Sequence, residues 1–535
     1  MRLALALLTT AALAVAGGAQ AAYLGALTAE PNRIFAAAAV VLLYLSLTAL
    51  ILLRYAARYS ASPPATVSGE RGSVLIAYAS QTGYAEELAR STSQALQQSN
   101  TPTRVLSFSD LDADALQAAQ TALFIISTTG EGDPPDPAAR FVRTVMGTPL
   151  SAAKLRYGVL ALGDRSFTRF CAFGEAVDGW LAKQSATRLF DAVRVHNGDP
   201  AALAIWWQRV EEITGQRIAP PAATTNVSPW TLIARAPASP ASGEHPAYYV
   251  SLQPLGALPH WTAGDVAVVR PNNDPAVVAQ LLVRLGLDGD MQLNGAAGRH
   301  TLAEHLAQST LPETADDIEA LARLSPALLV KSLQPLPVRE YSIASLPADG
   351  QIDLLIRQTH RPDGRLGVGS GWLTAHAGLN APVELSVRTN ASFHPPDPDR
   401  PMILIGNGTG IGGLRAHLKA RAAAGATRNW LIFGERSAAS DFFYRDDISK
   451  WRWARVLERV DFAFSRDAAK RTYVQDCVRI RADDIRTWVG DGAAIYVCGS
   501  LRGMSTAVTE ALGEIVGEAT LTEMIETGRY RRDVY

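Results

Sequence analysis

Four times along the chain, a short apolar run leads directly into a loop rich in glycine and hydroxyl side chains. The runs are residues 74–78, 122–126, 157–162 and 402–405. A continuous apolar run of this length is typical of a parallel strand buried on both faces, and the loops after such strands meet at one edge of the sheet. One such loop could be a plain turn, but the repeated order predicts α/β folding with nucleotide sites at that edge.

Length, charge and cysteine usage narrow the class of protein. A chain of 535 residues is too long for one hydrophobic core and is expected to form three or four domains. A net charge of −1 without a basic stripe argues against a nucleic-acid partner. Cys171, Cys477 and Cys498 are far apart in sequence, so we expect no disulfide framework and no metal site.

The first sixty residues carry the excess apolar composition. Segment 1–21 has an apolar core and a small-residue cleavage pattern, so it is either a signal peptide or a first transmembrane span. Residues 34–53 are uncharged and long enough for a transmembrane helix, and Arg54 and Arg58 follow at once. The positive-inside rule then predicts an inner-membrane location with the catalytic domains facing the cytoplasm. Residues 60–72 are predicted to be a linker.

The middle of the chain holds a short motif with unusual chemistry. Residues 341–344 suit a strand, and Arg339, Tyr341 and Ser342 are predicted to share one face of it. That face would offer a charge for a pyrophosphate, a ring for stacking and a proton donor. An ordinary strand with a stabilising arginine is the alternative. Two later glycine-rich loops, at 367–373 and 406–412, favour the nucleotide site.

Together these motifs resemble those of NADPH-dependent diflavin reductases, the family of the sulfite reductase flavoprotein subunit and the NADPH–hemoprotein reductases. The resemblance covers residues 73–535. It implies a multidomain α/β fold: a flavodoxin-like doubly wound FMN domain, an FAD-binding β-barrel with a small helical insert, and a ferredoxin-NADP reductase-like NADPH domain. The implied boundaries are 73–215, 227–398 with the insert at about 275–335, and 400–535.

By this resemblance, three loops of the first domain bind FMN. The first would bind the phosphate, the second would follow one edge of the flavin ring, and in the third a phenylalanine stands where the family usually has a stacking tyrosine. The implied residues are Ser80, Gln81, Thr82, Gly83, Ala85, Ser127, Thr128, Thr129, Gly130, Gly132, Gly163, Asp164, Phe167, Phe170 and Cys171.

The resemblance also implies the FAD site and the residues for hydride transfer. Arg339 would neutralise FAD phosphate, Tyr341 would stack on the flavin, and the Ser370 hydroxyl would bind the pyrophosphate. The implied FAD residues are Arg339, Tyr341, Ser342, Gly367, Val368, Gly369, Ser370 and Tyr535. The implied catalytic residues are Ser342, Cys498, Asp533 and Tyr535. Taken alone, a single strand cysteine such as Cys498 is more often a small core hydrophobe.

The last domain is implied to bind NADPH rather than NADH, because arginines and hydroxyls suit a 2′-phosphate. The implied residues are Gly406, Gly408, Thr409, Gly410, Ser465, Arg466, Arg471, Tyr473 and Gln475. Exposed arginines on a solvated surface are the alternative.

The implied function is electron transfer from NADPH through FAD and FMN to a one-electron acceptor, either a hemoprotein or another iron-containing acceptor. A reductase of ferric chelates, of siderophores or of a membrane redox partner is the alternative. The predicted span argues against a sulfite reductase subunit, and the intact catalytic set argues against a non-catalytic flavin sensor.

Overall fold

The structure is a computed structural model that describes residues 73–216, 227–239, 245–295 and 298–535. The predicted signal segment, the predicted span at 34–53 and the predicted linker lie outside the described residues. Within the described residues, no helix is both long enough and apolar enough to cross a membrane. The described residues belong to one compact unit.

The first region is a parallel sheet with helices on both faces. Its strands are β1 (Val74–Ala79), β2 (Thr103–Ser107), β3 (Thr121–Ser127), β4 (Arg156–Gly163), β5 (Thr187–Arg188) and β6 (Val193–His196). Its helices are α1 (Tyr84–Gln98), α2 (Ala113–Ala118), α3 (Ala139–Phe141), α4 (Ala172–Lys183) and α5 (Pro200–Thr214), with a 3₁₀ turn at Asp136–Ala138 and a π-turn at Val142–Met146. The strand order is β2-β1-β3-β4-β5, with β6 also paired to β4.

The alternation of side-chain direction along each strand explains why this region has two hydrophobic cores, one on each face of the sheet. Leu75 and Ala77 of β1 belong to one hydrophobic cluster, and Val74 and Ile76 belong to a second. Successive strand residues point to opposite faces, so a continuous apolar run supplies both cores. The predicted doubly wound sheet is therefore confirmed, and its three loops follow β1, β3 and β4.

The second region contains a six-stranded antiparallel sheet. Its strands are β7 (Ser228–Pro237), β8 (Ala247–Pro254), β9 (Val266–Arg270), β12 (Arg339–Ser342), β13 (Ile352–Arg357) and β14 (Pro382–Arg388), in the order β12-β9-β14-β7-β8-β13. Beyond the edge strands, the amide of Ala344 donates to the carbonyl of Asp353 at 2.8 Å. The sheet thus curves towards the predicted barrel, with its two edges meeting through this bond.

The prediction for the central motif is partly wrong. The strand is Arg339–Ser342 rather than residues 341–344, because the Ala344 amide pairs with Asp353 instead of continuing along β9. Arg339 and Tyr341 share one face of β12, where both approach Gly369. Ser342 is adjacent to Tyr341 in sequence and therefore faces the opposite side. The three side chains do not share a face.

The predicted insert has its own small core. Its helices are α6 (Pro275–Leu285), α7 (Leu302–Ala307), α8 (Ala315–Ala322) and α9 (Pro326–Ser332), and the later α10 (Val368–Gly371) returns to the sheet. A hairpin that the sequence did not predict, β10 (Gln292–Gly295) and β11 (Gly298–Thr301), lies between α6 and α7. Val278, Leu281, Leu302 and Leu306 are buried together as the apolar spacing predicts.

The third region is a five-stranded parallel sheet. Its strands are β15 (Met402–Asn407), β16 (Asn429–Glu435), β17 (Arg459–Phe464), β18 (Ala494–Gly499) and β19 (Tyr530–Val534), in the order β17-β16-β15-β18-β19. Its helices are α11 (Ile411–Ala423), α12 (Arg445–Trp453), α13 (Val474–Ile480), α14 (Ala482–Gly490), α15 (Thr506–Val516) and α16 (Glu518–Glu526). The C-terminal residues therefore form an ordered edge strand beside β18.

Candidate functional site

Three predicted catalytic side chains meet where β12 approaches the third sheet. The Ser342 hydroxyl donates to Asp533 Oδ2 at 2.6 Å, and Cys498 Sγ lies 3.8 Å from the same oxygen. Cys498 and Asp533 are partners in the register of β18 and β19, which explains their proximity. Gly413 in α11 lies against this cluster, because a Cβ there would be 3.1 Å from Cys498 Sγ.

Burial shifts the pKa of both acidic members of this cluster. Asp533 is 4% exposed, and burial raises its pKa to about 6 despite the hydrogen bond from Ser342. Burial, and then the nearby Asp533, raise the pKa of the Cys498 thiol well above its usual value. At neutral pH the cluster therefore holds a mostly ionised carboxylate beside a neutral thiol.

The fourth predicted catalytic residue, Tyr535, lies at the rim of a cavity rather than in the cluster. Its amide donates to the carbonyl of Gly499 at 3.1 Å, and its carbonyl accepts from the amide of Leu501 at 2.9 Å. The hydroxyls of Tyr535 and Thr409 are 3.1 Å apart. These contacts order the terminus while leaving the ring more than half exposed.

The cavity beside Tyr535 has a volume of about 740 Å³ and lies over the carboxyl ends of the third sheet. Its lining includes seven residues predicted for NADPH: Gly408, Thr409, Ser465, Arg466, Arg471, Tyr473 and Gln475. Gly406 and Gly410 lie beneath it, packed against the backbone of Cys498 so closely that a Cβ on either would overlap it. The glycines thus let the loop cross the end of β18.

Two arginines give the cavity a cationic end. Arg466 and Arg471 form no ion pair and no side-chain hydrogen bond with other described residues. Most other arginines near this sheet are paired, as Arg459 is with Asp484 at 2.8 Å. The two free guanidinium groups therefore suit an anionic ligand.

The sequence analysis missed three charged residues of the cavity, namely Arg436 and the pair Arg357 and Glu435. Arg357 reaches it from β13 of the second region and forms a short ion pair with Glu435 at the end of β16. Burial raises the pKa of Glu435, although Arg357 opposes this. Each residue ends a strand in a different sheet, so no local motif could have joined them.

The second and third predicted FMN loops lie side by side. The amide of Thr168 donates to Glu131 Oε2 at 3.1 Å, and a Cβ at Gly132 would be 3.1 Å from that of Ala172. Ser127, Gly130, Gly163, Asp164, Phe167 and Phe170 belong to these same two loops and are partly accessible. The Cys171 side chain is fully buried and donates to the carbonyl of Ala161, so only its backbone lies in the loop.

Two buried hydroxyls of the second loop have unmet hydrogen-bonding capacity. Thr128 Oγ1 and Thr129 Oγ1 are buried and have no partner among the described residues. Buried polar atoms are nearly always hydrogen-bonded in folded proteins. These two atoms therefore fit a polar ligand such as a flavin edge.

The first predicted FMN loop follows β1 and opens α1. Ser80 Oγ accepts from the amide of Ala85 at 3.2 Å, so this hydroxyl caps the helix. The Gln81 side chain is also occupied, since it donates to Asp136 Oδ2 at 3.1 Å and to the carbonyl of Arg532 at 2.8 Å. Thr82 and the left-handed Gly83 complete the loop. Ser80 Oγ only accepts in this contact, so its O–H, the backbone amides and Thr82 are available here for a phosphate.

Some of the predicted FAD residues are available for a ligand, whereas others already have partners within the protein. Arg339 has no acidic partner within 4 Å among the described residues. A Cβ at Gly369 would overlap Arg339 and lie 3.1 Å from the Tyr341 hydroxyl, so the glycine makes room for both. The Ser370 hydroxyl accepts from the amide of Thr359 at 3.1 Å and lies 2.9 Å from the Thr359 hydroxyl, and its contact with a pyrophosphate stays a prediction. Gly367 and Val368 begin α10 beside it.

A buried arginine that the sequence analysis did not identify joins the first and second regions. Arg388, at the end of β14, binds Glu87 of α1 at 2.8 Å and forms a short pair with Glu340 of β12. Its guanidinium carbon also lies 4.8 Å from the Tyr84 ring centre. The first region is therefore docked against the second through a desolvated cation.

Two family models match the chain. Residues 76–207 match the flavodoxin family, and residues 404–510 match the oxidoreductase NAD-binding domain. The first match spans the parallel sheet with the three loops, and the second spans the cavity and Cys498. Both predicted α/β domain types are confirmed.

Proteins from several organisms match most of the chain, and three of them, described next, are each named sulfite reductase (NADPH) flavoprotein alpha-component. The protein from Vibrio cholerae serotype O1 is 30% identical over 548 residues, covering 88% of this chain and 89% of the relative. The protein from Neisseria meningitidis serogroup C is 29% identical, with 88% and 90% covered. The protein from Salmonella typhimurium is 29% identical, with 86% and 90% covered.

The predicted inner-membrane location is wrong. The relatives that match most of the chain are sulfite reductase flavoprotein alpha-components. The argument against a sulfite reductase subunit rested on the predicted span, and the names of the relatives oppose that argument.

Proposed function

The chain belongs to the NADPH-dependent diflavin reductase family, and we propose that it passes electrons from NADPH to a hemoprotein. FMN, FAD and NADPH are its cofactors. The observation that carries the proposal is the Ser342–Asp533–Cys498 cluster, which adjoins the cavity with two unpaired arginines. When bound, FAD accepts a hydride from NADPH, and FMN releases the electrons singly to the acceptor.

In this proposal, the residues of the cluster act on the nicotinamide end of NADPH. The ionised Asp533 stabilises the positive charge of the oxidised nicotinamide and orients the Ser342 hydroxyl through their 2.6 Å hydrogen bond. The Cys498 thiol stays protonated because burial raises its pKa, so it packs and positions without acting as a nucleophile. Tyr535, at the rim of the cavity, would stack on FAD and would give way to nicotinamide.

The other end of the cavity is proposed to bind the 2′-phosphate. Arg466 and Arg471 supply charge, and Ser465 and Tyr473 supply hydroxyls, all from the cavity lining. Bidentate guanidinium contacts suit a phosphomonoester, which NADH lacks. This assigns the preference for NADPH to residues that follow β17.

We propose one flavin site in each of the two docked regions: the FAD site in the second region and the FMN site in the first. Arg339 and Tyr341, which pack against Gly369, would bind the FAD phosphate and stack on the flavin. Thr128 and Thr129, with the adjacent third loop, would hold FMN. Ser80 would contribute its O–H and its backbone amide, and Gln81 only its backbone amide, since the Gln81 side chain already has partners. The domain boundaries 73–215, 227–398 and 400–535 follow from this assignment.

The proposed acceptor is the hemoprotein that works with a sulfite reductase flavoprotein. Support comes from the relatives, whose name couples NADPH, a flavoprotein and sulfite reduction. No observation on the described residues favours a ferric chelate, so reduction of such a chelate becomes an outcome of the test.

The test makes two comparisons: between two electron acceptors, and between variants at two buried cysteines of the third region. The chain, loaded with FMN and FAD, is given NADPH with cytochrome c or with a ferric chelate, and NADPH oxidation is followed. We expect faster turnover with the heme protein. Cys498→Ala should slow flavin reduction about tenfold, whereas Cys477→Ala, outside the cluster, should not.

Two results would contradict the proposal. Failure of the loaded chain to oxidise NADPH with either acceptor would refute the reductase assignment. Faster reduction of the ferric chelate would refute the hemoprotein as acceptor while leaving the NADPH and flavin assignments in place.

A further inference from the structure

The C-terminal strand β19 contacts two different parts of the molecule with adjacent side chains. Arg532 and Asp533 are neighbours in an extended strand, so they point to opposite sides. Asp533 points to Ser342 and Cys498. Arg532 points to the first region, on the other side. The same five-residue strand therefore connects the catalytic cluster with the flavodoxin-like domain.

Asp136 of the first region is the partner of Arg532. The Arg532 guanidinium donates to both carboxylate oxygens of Asp136, at 3.1 Å from Nε and through a shorter contact from Nη2. Both side chains are largely buried, with exposed fractions of 9% for Asp136 and 18% for Arg532. Breaking a desolvated pair of this kind leaves one charge buried without its partner, so the pair strongly favours the docked arrangement.

Gln81 makes this contact a network rather than a single pair. Its amide nitrogen donates to Asp136 and to the backbone carbonyl of Arg532, and its amide oxygen accepts from the backbone amide of Asp136. The Gln81 carbonyl in turn accepts from Ser392 at 2.7 Å. Arg532 is therefore held by its backbone as well as its side chain, which restrains the strand itself.

We propose that Asp136 is a positioning residue for hydride transfer, although it lies in the flavodoxin-like domain. Through Arg532 it holds β19 so that Asp533 meets Ser342 and Tyr535 stays at the cavity rim. Docking of the FMN domain thus sets the geometry of a step in which FMN takes no part. This inference rests on the proposed function for the identity of that step.

A second interdomain contact provides a matched control. Glu87 of α1 binds the buried Arg388 at 2.8 Å and so also joins the first region to the rest of the chain. Its exposed fraction is 24%, and that of Arg388 is 6%, which is comparable burial. Among the described residues, no hydrogen bond or ion pair joins either residue to β19. Glu87→Gln therefore weakens docking without releasing the C-terminal strand.

The experiment uses the full chain and two readouts. Reduction of bound FAD by NADPH is followed in a single turnover, with NADPH and with NADPH deuterated at C4. Amide hydrogen exchange of residues 530–535 is measured without NADPH. For Asp136→Asn we expect FAD reduction to be roughly tenfold slower and its isotope effect to be larger, because a displaced Asp533 slows the hydride step itself. We also expect the amides of β19 to exchange faster. For Glu87→Gln we expect the rate of FAD reduction, its isotope effect and the exchange rate of β19 each to stay within about twofold of the wild-type value.

Arg532→Lys guards against misfolding of the asparagine variant, because it keeps the charge opposite Asp136. We expect a smaller loss, about threefold, with partial protection of β19. Equal slowing by Asp136→Asn and Glu87→Gln would overturn the proposal, since docking in general would then be responsible. Unchanged exchange in Asp136→Asn would also overturn it. If the wild type fails to oxidise NADPH, the proposed function fails, while the exchange readout still decides whether Asp136 holds the strand.

Discussion

The loop after β1 and the loop after β15 have the same local design but different surroundings. Each joins a buried strand to a helix through glycines. The first is covered: Ser80 and Gln81 are under 8% exposed, and Gly83 lies so close to Thr389 that a Cβ would overlap its carbonyl oxygen. The second opens through Gly408 and Thr409 into the 740 Å³ cavity.

The difference matches what each loop is proposed to bind. A loop covered by neighbouring regions suits a cofactor that stays bound, as FMN would. A loop that opens on a cavity suits a nucleotide that enters and leaves in every cycle, as NADPH would. The strand–loop–helix design provides a phosphate site in both cases, and the packing of other regions decides how a ligand reaches it.

The largest effect should come from the open loop, because its glycine packs against its own sheet. Gly410→Ala would place a Cβ on the backbone of Cys498, which cannot move without distorting β18. We expect a loss of about 3 kcal/mol in unfolding free energy, measured by thermal and denaturant unfolding. Gly408→Ala is the control: the nearest atom to its Cβ, Glu435 Oε1, would be 3.6 Å away, so only the positive φ costs energy, about 1 kcal/mol. Equal losses would contradict the packing argument.

The next largest effect should come from strand β19, because Arg532 in it contacts the first loop at Gln81 and Tyr535 after it contacts the second loop at Thr409. Burial raises the pKa of Asp533 to about 6, so its carboxyl gains a proton below that pH and loses it above. If the carboxylate stabilises oxidised nicotinamide, FAD reduction by NADPH should rise with pH through about 6. Asp533→Asn should be roughly 10²-fold slower and independent of pH in that range. A single-turnover pH profile checks both points, and a profile unchanged in the variant would exclude Asp533 as its source.

The open cavity should also show which nucleotide it selects. Arg471→Gln removes a guanidinium that has no other partner among the described residues. We expect KM for NADPH to rise roughly tenfold to a hundredfold, the worth of one or two charged hydrogen bonds. KM for NADH is the internal control and should change little, because NADH has no 2′-phosphate. Equal effects on both nucleotides would place Arg471 elsewhere on the ligand.

The smallest effect should come from the covered loop, where the obstacle belongs to another region. Gly83→Ala would strain a residue at φ +84° and push against Thr389. We expect about 1 kcal/mol of strain, a larger radius of gyration by solution scattering and slower cytochrome c reduction. Gly215→Ala is the control, with φ +65° and no neighbour within 4 Å. If both variants expand the chain equally, the loop is not covered as described.

Sequence reasoning succeeded where structure depends on neighbours along the chain. The apolar runs predicted β1, β3, β4 and β15 to within one or two residues at each end. It failed at Ser342, which an error of alternation placed on the face of Arg339, and it did not predict the hydrogen bond between Ser370 and Thr359. The first error could have been avoided from strand geometry alone. The second contact could not be predicted, because Thr359 is eleven residues away.

The sequence by itself determined the order of the domains, the strand–loop–helix units and the residue types at each loop, because these follow from apolar periodicity and glycine placement. Only the tertiary structure decided which side chains are free for ligands and which hold the domains together. Gln81, Arg357 and Arg388 carry local signals no different from those of a ligand-binding residue. Their partners, Arg532, Glu435 and Glu87, are distant in sequence. Burial of a charge or an amide demands a partner, and packing of separate regions alone brings that partner within reach.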